Sequence, residues 1–356
     1  MDKKRVLVAM SGGVDSSVAA AMLIEQGYEV EGATMQIWPD ITDEEERCTN
    51  GCCSLSAVDD ARRVANLLGI KYHVLNFKEQ FEKDVIDPFV KEYIAGRTPN
   101  PCVMCNRTVK FEEFLRRAKT LGFDYICTGH YGLVEAGQDG RMLLRRSVTA
   151  EKDQTYALFT LTQDQLSHLL LPVGRLTKPE VREYARKLCL PVSDKPDSQE
   201  ICFVKDNDYA GFIEKRGYRC RPGNFVDLDG KIIGKHNGII HYTIGKRKGL
   251  GGGFAKPMFG VRIDVEKNEV VLGGNEDTFK KDLIAKDMNW IYKEPTQPFE
   301  CKAKIRYNGP SADCTVYPQG DTVRVEFASP ARAVTPGQFA VFYDGDYVIG
   351  GGTIIG

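Results

Sequence analysis

A short run of small and polar residues near the N-terminus has the composition of a phosphate-binding loop. Gly12 and Gly13 leave room for a phosphate to approach the backbone, and the serines beside them offer hydroxyl donors. Asp15 offers a carboxylate that would cap a helix or help to hold Mg²⁺. The residues that we assign to this site are Ala9, Met10, Ser11, Gly12, Gly13, Val14, Asp15, Ser16 and Ser17.

Cysteines form the second chemically capable group. Cys102 and Cys105 make a C-x-x-C pair in a proline-rich loop, residues 98–106, ahead of a helix predicted to start near Phe111. A thiol close to a helix N-terminus has a lowered pKa and more thiolate, but C-x-x-C alone also fits a zinc half-site, a redox pair or chance. Cys202 lies in a separate polar segment. We interpret a further group as structural or incidental: Cys48, Cys52 and Cys53.

The phosphate loop must be positioned by the elements on either side of it. A strand, Val6–Ala9, precedes the loop and a helix, Ser16–Gln26, follows it, which brings backbone N–H groups to the positive end of a helix. Strands and helices go on alternating to residue 130, which predicts a parallel sheet with helices on both faces. The other predicted elements are strands Val30–Met35, Tyr72–Leu75 and Asp124–Cys127, and helices Ala57–Leu68, Phe81–Tyr93 and Phe111–Leu121.

In such sheets, ligands bind beyond the carboxyl ends of the strands. Met35, Gly129 and His130 come at or just after two of those ends, so they would converge with the loop on one nucleotide. Met35 as a core residue and His130 as an ordinary polar residue are the alternatives. Further along, residues 132–147 are typical of a hairpin, and Thr177 with Glu180 predicts a capping box at a helix start.

The pattern changes at about residue 218, where glycines multiply and short β-rich runs begin. We predict three domains: a catalytic α/β domain at 1–206, a small central domain at 207–280 and a C-terminal β-barrel at 281–356. The predicted strands are Asn224–Leu228, Lys231–Ile233, Ile239–Ile244, Val261–Val265, Cys301–Tyr307, Asp313–Val316, Thr322–Phe327, Phe339–Tyr343 and Tyr347–Ile355.

Bulk composition narrows the class of protein. The chain has 356 residues, of which 42% are hydrophobic and 27% charged, as in ordinary globular proteins. No apolar run reaches the roughly 18 residues needed to span a membrane, and no secretion signal is expected at the start. With 11 cysteines, we expect reduced thiols and a cytoplasmic location. The net charge of −1 does not itself indicate a nucleic-acid partner.

The Ser-Gly-Gly-x-Asp-Ser string resembles the PP-loop of ATP pyrophosphatases, which belong to the adenine nucleotide alpha hydrolase-like α/β fold. The chain as a whole resembles the bacterial tRNA-specific 2-thiouridylases, which place sulfur on C2 of the wobble uridine. The motifs that carry this resemblance are Ser11–Ser16, Asp59–Ala65, Thr98–Pro101, Met104–Asn106, Thr128–Tyr131, Lys152–Tyr156, Asp197–Phe203 and Tyr242–Gly245.

The resemblance implies roles for individual residues. Residues 9–16, Met35 and Gly129 would contact ATP, Cys202 would carry sulfur as a persulfide, and Cys105 would be the nucleophile that completes the transfer. A sulfur-donor protein or another sulfide source would supply the sulfur. The residues implied to contact tRNA are Asn100, Pro101, Cys102, His130, Lys152, Asp153, Gln154, Arg306, Tyr307 and Gln338.

The sequence departs from the family pattern at one position. Many members have an aspartate, a proposed acid or base, where this chain has Cys102. The three thiols Cys102, Cys105 and Cys202 would instead be able to hold a [4Fe-4S] cluster with one iron open to a sulfide. The persulfide route and the cluster route both stay open.

Although the net charge of the chain is close to zero, local basic stretches offer a surface that could bind successive phosphates of a nucleic-acid backbone. They include residues 141–146, 215–221 and 246–248, although each one alone would pass for a solvated surface. Two other functions are considered. One is a PP-loop adenylating enzyme with a small-molecule substrate, and the other is a non-catalytic iron–sulfur or tRNA-binding protein.

Overall fold

The computed structural model describes residues 3–37, 55–197, 201–204, 207–251, 254 and 256–356. The cysteine group Cys48, Cys52 and Cys53 lies outside these ranges. The chain divides into two compact units. The first comprises residues 1–86, 102–205 and 346–348, and the second comprises 87–101, 206–345 and 349–356. Among the described helices, none combines the length and the apolar composition needed to cross a membrane.

The first unit is built on a parallel sheet, as the alternating sequence pattern predicts. Its strand order is β3-β2-β1-β4-β7, and the central strand β1 pairs in parallel with β2 and β4. Strand β1 is apolar and lies buried in the core under the helices. Its carboxyl end lies at the edge of the sheet where ligands bind in parallel α/β folds. The strands are β1 (Arg5–Ala9), β2 (Glu29–Gln36), β3 (Tyr72–Asn76), β4 (Tyr125–Cys127), the hairpin β5 (Leu133–Ala136) and β6 (Met142–Arg145), and β7 (Leu169–Leu170).

The helices of this unit include the one that follows the phosphate loop and those that bear Cys102 and Cys105. They are α1 (Val14–Glu25), α2 (Leu55–Leu68), α3 (Lys78–Phe81), a π-helix π1 (Glu82–Ile86), α5 (Pro101–Met104), a π-helix π2 (Cys105–Glu113), α6 (Phe114–Thr120), α7 (Gln163–Ser167) and α8 (Lys178–Lys187), with α4 (Asp87–Ile94) belonging to the second unit. The predicted capping box of α8 is confirmed, because the Thr177 hydroxyl accepts from the Glu180 N–H and the Glu180 carboxylate accepts in return.

One predicted boundary is wrong. The proline-rich segment was predicted as a loop that ends near Phe111, but the chain is helical from Pro101 onward. Proline has no N–H to satisfy and its φ already suits a first helical turn, so Pro101 starts the helix rather than interrupting it. Cys102 and Cys105 therefore lie on the first turns of a helix.

The second unit contains α9 (Tyr209–Lys215), a four-stranded sheet and a closed barrel. The sheet has the order β10-β11-β8-β9, with β8 (Gly223–Val226), β9 (Ile232–His236), β10 (Phe259–Asp264) and β11 (Glu269–Gly273). The barrel has the order β12-β15-β14-β13-β16-β17 and closes through pairing of β12 with β17. Its strands are β12 (Phe279–Trp290), β13 (Phe299–Lys304), β14 (Ser311–Gln319), β15 (Thr322–Arg332), β16 (Phe339–Asp344) and β17 (Tyr347–Ile354).

Three strand predictions in this unit differ from the structure. The predicted strand Ile239–Ile244 is a 3₁₀ turn at Ile239–His241, where two consecutive isoleucines are both buried instead of alternating. Strand β11 was not predicted. Strand β12 was also missed, because lysines and aspartates occupy its solvent-facing positions and only Leu283 and Ala285 are fully buried.

Candidate functional site

The predicted phosphate loop connects β1 to α1. Gly12 has a φ of +66°, and a Cβ there would lie 2.2 Å from the carbonyl oxygen of Ala57, so only glycine fits. Gly13 is the N-cap of α1 and gives no side-chain hydrogen bond to the first turn. The first N–H groups of a helix need an outside partner, and an anion at the positive helix end supplies it. The loop therefore fits a phosphate.

The serines of the loop bind other parts of the loop. The Ser16 hydroxyl lies 3.2 Å from the Ser11 nitrogen and 3.3 Å from the Gly13 carbonyl oxygen. The Ser17 hydroxyl donates to the same Gly13 oxygen at 2.8 Å, and Ser17 is fully buried. These hydroxyls thus shape the loop, and their predicted contact with a phosphate stays a prediction.

Asp15 is held by a lysine that sequence analysis did not single out. Lys178 Nζ lies 2.7 and 2.8 Å from the two Asp15 oxygens, and the Tyr131 hydroxyl donates to Asp15 at 2.7 Å. Asp15 therefore does not cap α1. Burial, reinforced by the Asp15 carboxylate, raises the pKa of Tyr131, so the phenol stays a proton donor. To bind Mg²⁺, Asp15 would have to exchange its lysine partner.

Asp197 joins the same group of charges. Lys178 Nζ lies 2.7 Å from one Asp197 oxygen, and Lys152 Nζ lies 2.8 Å from the other. Arg182 adds a contact at 3.3 Å. Burial raises the pKa of Asp197, but the hydrogen bonds from Lys152 and Lys178 outweigh it, so the pKa lies below its ordinary value. Lys178 and Arg182 are four residues apart on α8, a spacing that puts both cations on one helix face.

Two more contacts complete the surroundings of the loop. Lys195 Nζ donates to the Gly12 carbonyl oxygen at 3.0 Å and to Asp60 at 2.7 Å. A Cβ at Gly129 would lie 2.6 Å from the Ser16 nitrogen, so the backbone after β4 passes directly beside the start of α1. The predicted approach of Gly129 to the loop is therefore seen. Met35 is buried at the end of β2, as a core residue would be.

The thiols occupy two segments of the first unit. Cys102 is exposed on α5, and Cys105 is partly buried at the start of π2, a helix that packs against α3 and π1. Cys202 is partly buried and is followed by Phe203, whose ring meets Phe81 of α3 edge-on at 5.7 Å. The segment after Cys202 is therefore anchored on the helical layer that packs against the Cys105 helix.

A possible metal group differs from the predicted one. Within the ranges that the structure describes, one set of three potential ligands brings its donor atoms within 4.8 Å of one another: Glu214, Cys220 and His241, in the second unit. Burial and then the Glu214 carboxylate raise the pKa of Cys220 to about 12. The cluster at Cys102, Cys105 and Cys202 stays a prediction.

The side chains predicted to contact tRNA in the first unit have partners within the protein. Lys152 pairs with Asp197, as described above. Buried Asp153 accepts hydrogen bonds from the Ser147 N–H and the Thr155 hydroxyl, and burial raises its pKa. Gln154 accepts from the Tyr131 N–H at 2.8 Å. His130 Nδ1 lies 2.8 Å from the Thr128 hydroxyl.

The side chains predicted to contact tRNA in the second unit are of two kinds: two bind backbone groups of the protein, and one is partly exposed. Arg306 Nη2 donates to the Ile244 and Ala333 carbonyl oxygens and to the Thr335 hydroxyl at 3.0 to 3.2 Å. Gln338 donates to the carbonyl oxygens of Thr98 and Pro99, just ahead of Asn100 and Pro101. Both side chains therefore hold backbone in place. Tyr307, by contrast, is 36% exposed.

A parallel α/β sheet with a glycine loop at its edge, followed by a small β domain and a β-barrel, defines a nucleotide-binding class of protein. Family models match accordingly: a "tRNA methyl transferase HUP domain" at residues 4–206, a "tRNA methyl transferase PRC-barrel domain" at 210–274 and an "Aminomethyltransferase beta-barrel domain" at 280–354.

Curated relatives match from end to end. A tRNA-specific 2-thiouridylase MnmA from Acetivibrio thermocellus is 59% identical over 99% of this chain and 100% of its own length. The enzyme of that name from Clostridioides difficile is 54% identical over 99% of this chain and 98% of its own length. The chain belongs to the tRNA-specific 2-thiouridylase family.

Solved structures with a similar fold are more distant. A 4-thiouridine synthetase in complex with RNA and bound ATP has a TM-score of 0.36 and 19% identity, covering 56% of this chain and 45% of that one. The NMN synthetase from Francisella tularensis has a TM-score of 0.33 and 15% identity, covering 55% of this chain and 66% of that one.

Proposed function

We propose that this chain is an ATP-dependent enzyme that replaces the C2 oxygen of the wobble uridine of tRNA with sulfur. The observation that carries the proposal is the end-to-end similarity to tRNA-specific 2-thiouridylases at up to 59% identity among the relatives described above. The uncapped start of α1 beside Gly12 and Gly13 supports ATP as the activating substrate, because it offers donors to a phosphate chain.

The chemistry requires activation before sulfur transfer, because the uracil C2 oxygen is a poor leaving group. The C2 oxygen attacks the α-phosphorus of ATP and pyrophosphate departs. A sulfur nucleophile then adds at C2, and AMP leaves with the original oxygen. The N–H groups at the start of α1 would stabilise the charge that develops on the phosphates, and bound Mg²⁺ would supply further charge neutralisation.

The sulfur would come from a persulfide on Cys202. In one route its terminal sulfur attacks C2, and Cys105 then attacks the inner Cys202 sulfur, which breaks the S–S bond and leaves the terminal sulfur on the base. In the other route Cys105 first attacks the inner Cys202 sulfur and releases the terminal sulfur as sulfide, which then adds at C2. Either route ends with a Cys105–Cys202 disulfide, which a two-electron reductant must reduce before the next turnover. A [4Fe-4S] cluster at Cys102, Cys105 and Cys202 would supply a bound sulfide instead. The sulfur donor and the cytoplasmic location stay predictions.

The assignments of individual residues belong to the same proposal. The ATP contacts are residues 9–16, Met35 and Gly129. The tRNA contacts are Asn100 to Cys102, His130, Lys152–Gln154, Arg306, Tyr307 and Gln338. The three-domain division, with boundaries after residues 206 and 280, is proposed with them.

The test uses anaerobically purified protein, Mg·ATP labelled at the α-phosphate, unmodified tRNA and a thiol reductant, with either a persulfide donor for the Cys202 route or sulfide for the cluster route. We expect AMP and 2-thiouridine to form together and only with tRNA. A methylated base without a thiolated one would favour the activity in the family-model descriptions. AMP without tRNA would favour a small-molecule adenylating enzyme, and no ATP turnover would favour a binding protein.

Two thiol variants test whether Cys202 is needed for sulfur transfer. Cys202→Ser should abolish thiolation, whereas Cys189→Ser, an exposed thiol of the same unit, serves as the matched control and should behave like the unmodified protein. Thiolation retained in Cys202→Ser would exclude that residue as the carrier. Dependence of the product on bound iron would choose the cluster over the persulfide.

A further inference from the structure

Three side chains with metal-binding donors converge in the second unit, and the proposed function gives none of them a role. Glu214 lies near the end of α9, Cys220 lies between α9 and β8, and His241 ends the 3₁₀ turn that starts at Ile239. Their carboxylate, thiol and imidazole donor atoms lie within 4.8 Å of one another. We propose that these three residues bind one divalent cation of the zinc type.

The chemistry of the donors selects the class of ion. A thiolate and an imidazole suit Zn²⁺ and similar transition-metal ions, whereas Mg²⁺ and Ca²⁺ require oxygen ligands. The negative charges of the Cys220 thiolate and the Glu214 carboxylate would balance the two positive charges of the ion. Zinc usually has four ligands, so three protein donors leave one position for a water molecule.

The distances between the donors need only a small adjustment. Metal–ligand bonds of about 2.0–2.3 Å at tetrahedral angles place the ligand atoms about 3.3–3.8 Å apart. Glu214 Oε1 and His241 Nε2 are already 3.8 Å apart, and the Cys220 thiol donates a hydrogen bond to the Glu214 carboxylate. An ion that displaces this thiol proton would therefore find its ligands nearly in place.

Contacts within the second unit hold the donor-bearing segments together before any ion binds. The Tyr209 hydroxyl of α9 donates to the His241 carbonyl oxygen at 3.3 Å. Gly238 leaves room for Cys220 beside the turn, since a Cβ at this glycine would lie 2.7 Å from the Cys220 Cβ. The Glu214 side chain is 44% exposed, so an ion can enter from solvent. The site therefore combines a fixed scaffold with an entry path, as a metal site requires.

Cobalt titration of the full-length protein, reduced and freed of metal under anaerobic conditions, is the direct test. A cobalt–thiolate bond has a charge-transfer absorption that cobalt bound to oxygen or nitrogen lacks. Other thiols of the chain can also bind cobalt, so the readout is the difference between the unmodified protein and Cys220→Ser. We expect the unmodified protein to bind one more equivalent of Co²⁺, with a thiolate band that Zn²⁺ removes and millimolar Mg²⁺ does not.

Two further variants make the assignment specific. His241→Gln keeps every thiol but removes one ligand, so the affinity of this equivalent should fall about tenfold or more, as it does when even an outer-shell partner is lost. Cys189→Ser removes an exposed thiol of the first unit and is the matched control, which should bind as many ions as the unmodified protein. If Cys220→Ser does not fold, Glu214→Gln and His241→Gln provide the comparison.

A second readout follows folding instead of colour. Because a ligand that binds only the folded state stabilises it, Zn²⁺ should raise the unfolding temperature of the unmodified protein by at least about 2 °C more than that of His241→Gln.

Three results would overturn the proposal: equal numbers of bound ions in the unmodified protein and Cys220→Ser, a difference spectrum without a thiolate band, or unchanged affinity in His241→Gln. Any of them would show that Glu214, Cys220 and His241 are a polar cluster that contacts solvent and binds no ion. None of these measurements uses ATP or tRNA, so the proposal is tested separately from the proposed function.

Discussion

The phosphate loop and the Asp197 carboxylate are held in place by different kinds of interaction. In the loop, neighbours in the sequence hold one another, since Ser16 and Ser17 bind the Gly13 carbonyl oxygen three and four residues away. Asp197 is bound by Lys152 and Lys178, which lie 45 and 19 residues away in the sequence. A local motif can be recognised from its letters, whereas a distant ion pair cannot.

The largest expected effect on ATP binding comes from adding a methyl group to the loop. In Gly12→Ala the new Cβ would overlap the Ala57 carbonyl oxygen at a positive φ, so the loop must move. We expect ATP affinity, measured by titration, to fall at least about tenfold, equivalent to about 1.4 kcal/mol. Gly27→Ala is the matched control, because Gly27 also has a positive φ but no atom within 4 Å of the added Cβ. Equal losses of affinity would contradict this account.

The largest expected effect on stability tests the distant ion pairs. Lys178→Met leaves Asp15 and Asp197 without their shared cation, and breaking a buried pair on one side costs about 3–5 kcal/mol. Denaturant unfolding measures the loss. In Lys187→Met, which breaks a pair that is 72% exposed on the lysine side, the change should stay within about 0.5 kcal/mol. A small effect at Lys178 would mean that Asp15 and Asp197 do not depend on their shared lysine.

A smaller effect distinguishes a residue that stabilises the second unit from one that binds tRNA. Arg306→Ala removes three hydrogen bonds to backbone and hydroxyl groups, so it should lower the free energy of unfolding by about 1–3 kcal/mol. Tyr307→Ala should leave stability nearly unchanged and weaken tRNA binding instead, as measured by filter binding at several salt concentrations. If only Arg306→Ala changes the salt dependence, then Arg306 contacts phosphate directly.

The smallest effect concerns the helix that bears Cys105. Hydrogen bonds from Arg116 oppose burial, and together with Arg117 they lower the pKa of Glu113 from 4.5 to about 2. A lowered folded-state pKa gives stability that is complete above the unfolded value and is lost as the pH falls toward about 2. Unfolding free energies measured from pH 4.5 downward should therefore fall less steeply in Glu113→Gln. Parallel slopes would contradict this assignment.

Sequence patterns predicted the parallel sheet, the phosphate loop and the α8 capping box, because each follows from neighbours a few residues apart. They did not predict the Lys178 contacts. They assign Lys152, Gln154, Arg306 and Gln338 to tRNA, which stays a prediction, but they did not show that these side chains also bind groups within the protein. The residue type alone does not distinguish a polar side chain that holds a distant loop from one that binds a base. Strand β12 was not predicted for a related reason: it is rich in charged residues, and its buried face has few apolar ones.

The wide helix π2 has an evolutionary consequence. At its end the Phe114 N–H donates to the carbonyl oxygen of Val109, five residues earlier, whereas in an α-helix the acceptor is four residues earlier. The turn therefore contains one more residue than a turn of an α-helix. Deleting one residue between 106 and 113 would restore a regular helix and swing Cys102 and Cys105 by about 100° around its axis relative to α6. An insertion or deletion in this helix should therefore disturb the thiols more than a substitution does. We expect the length of the helix to vary less among relatives than its amino-acid sequence.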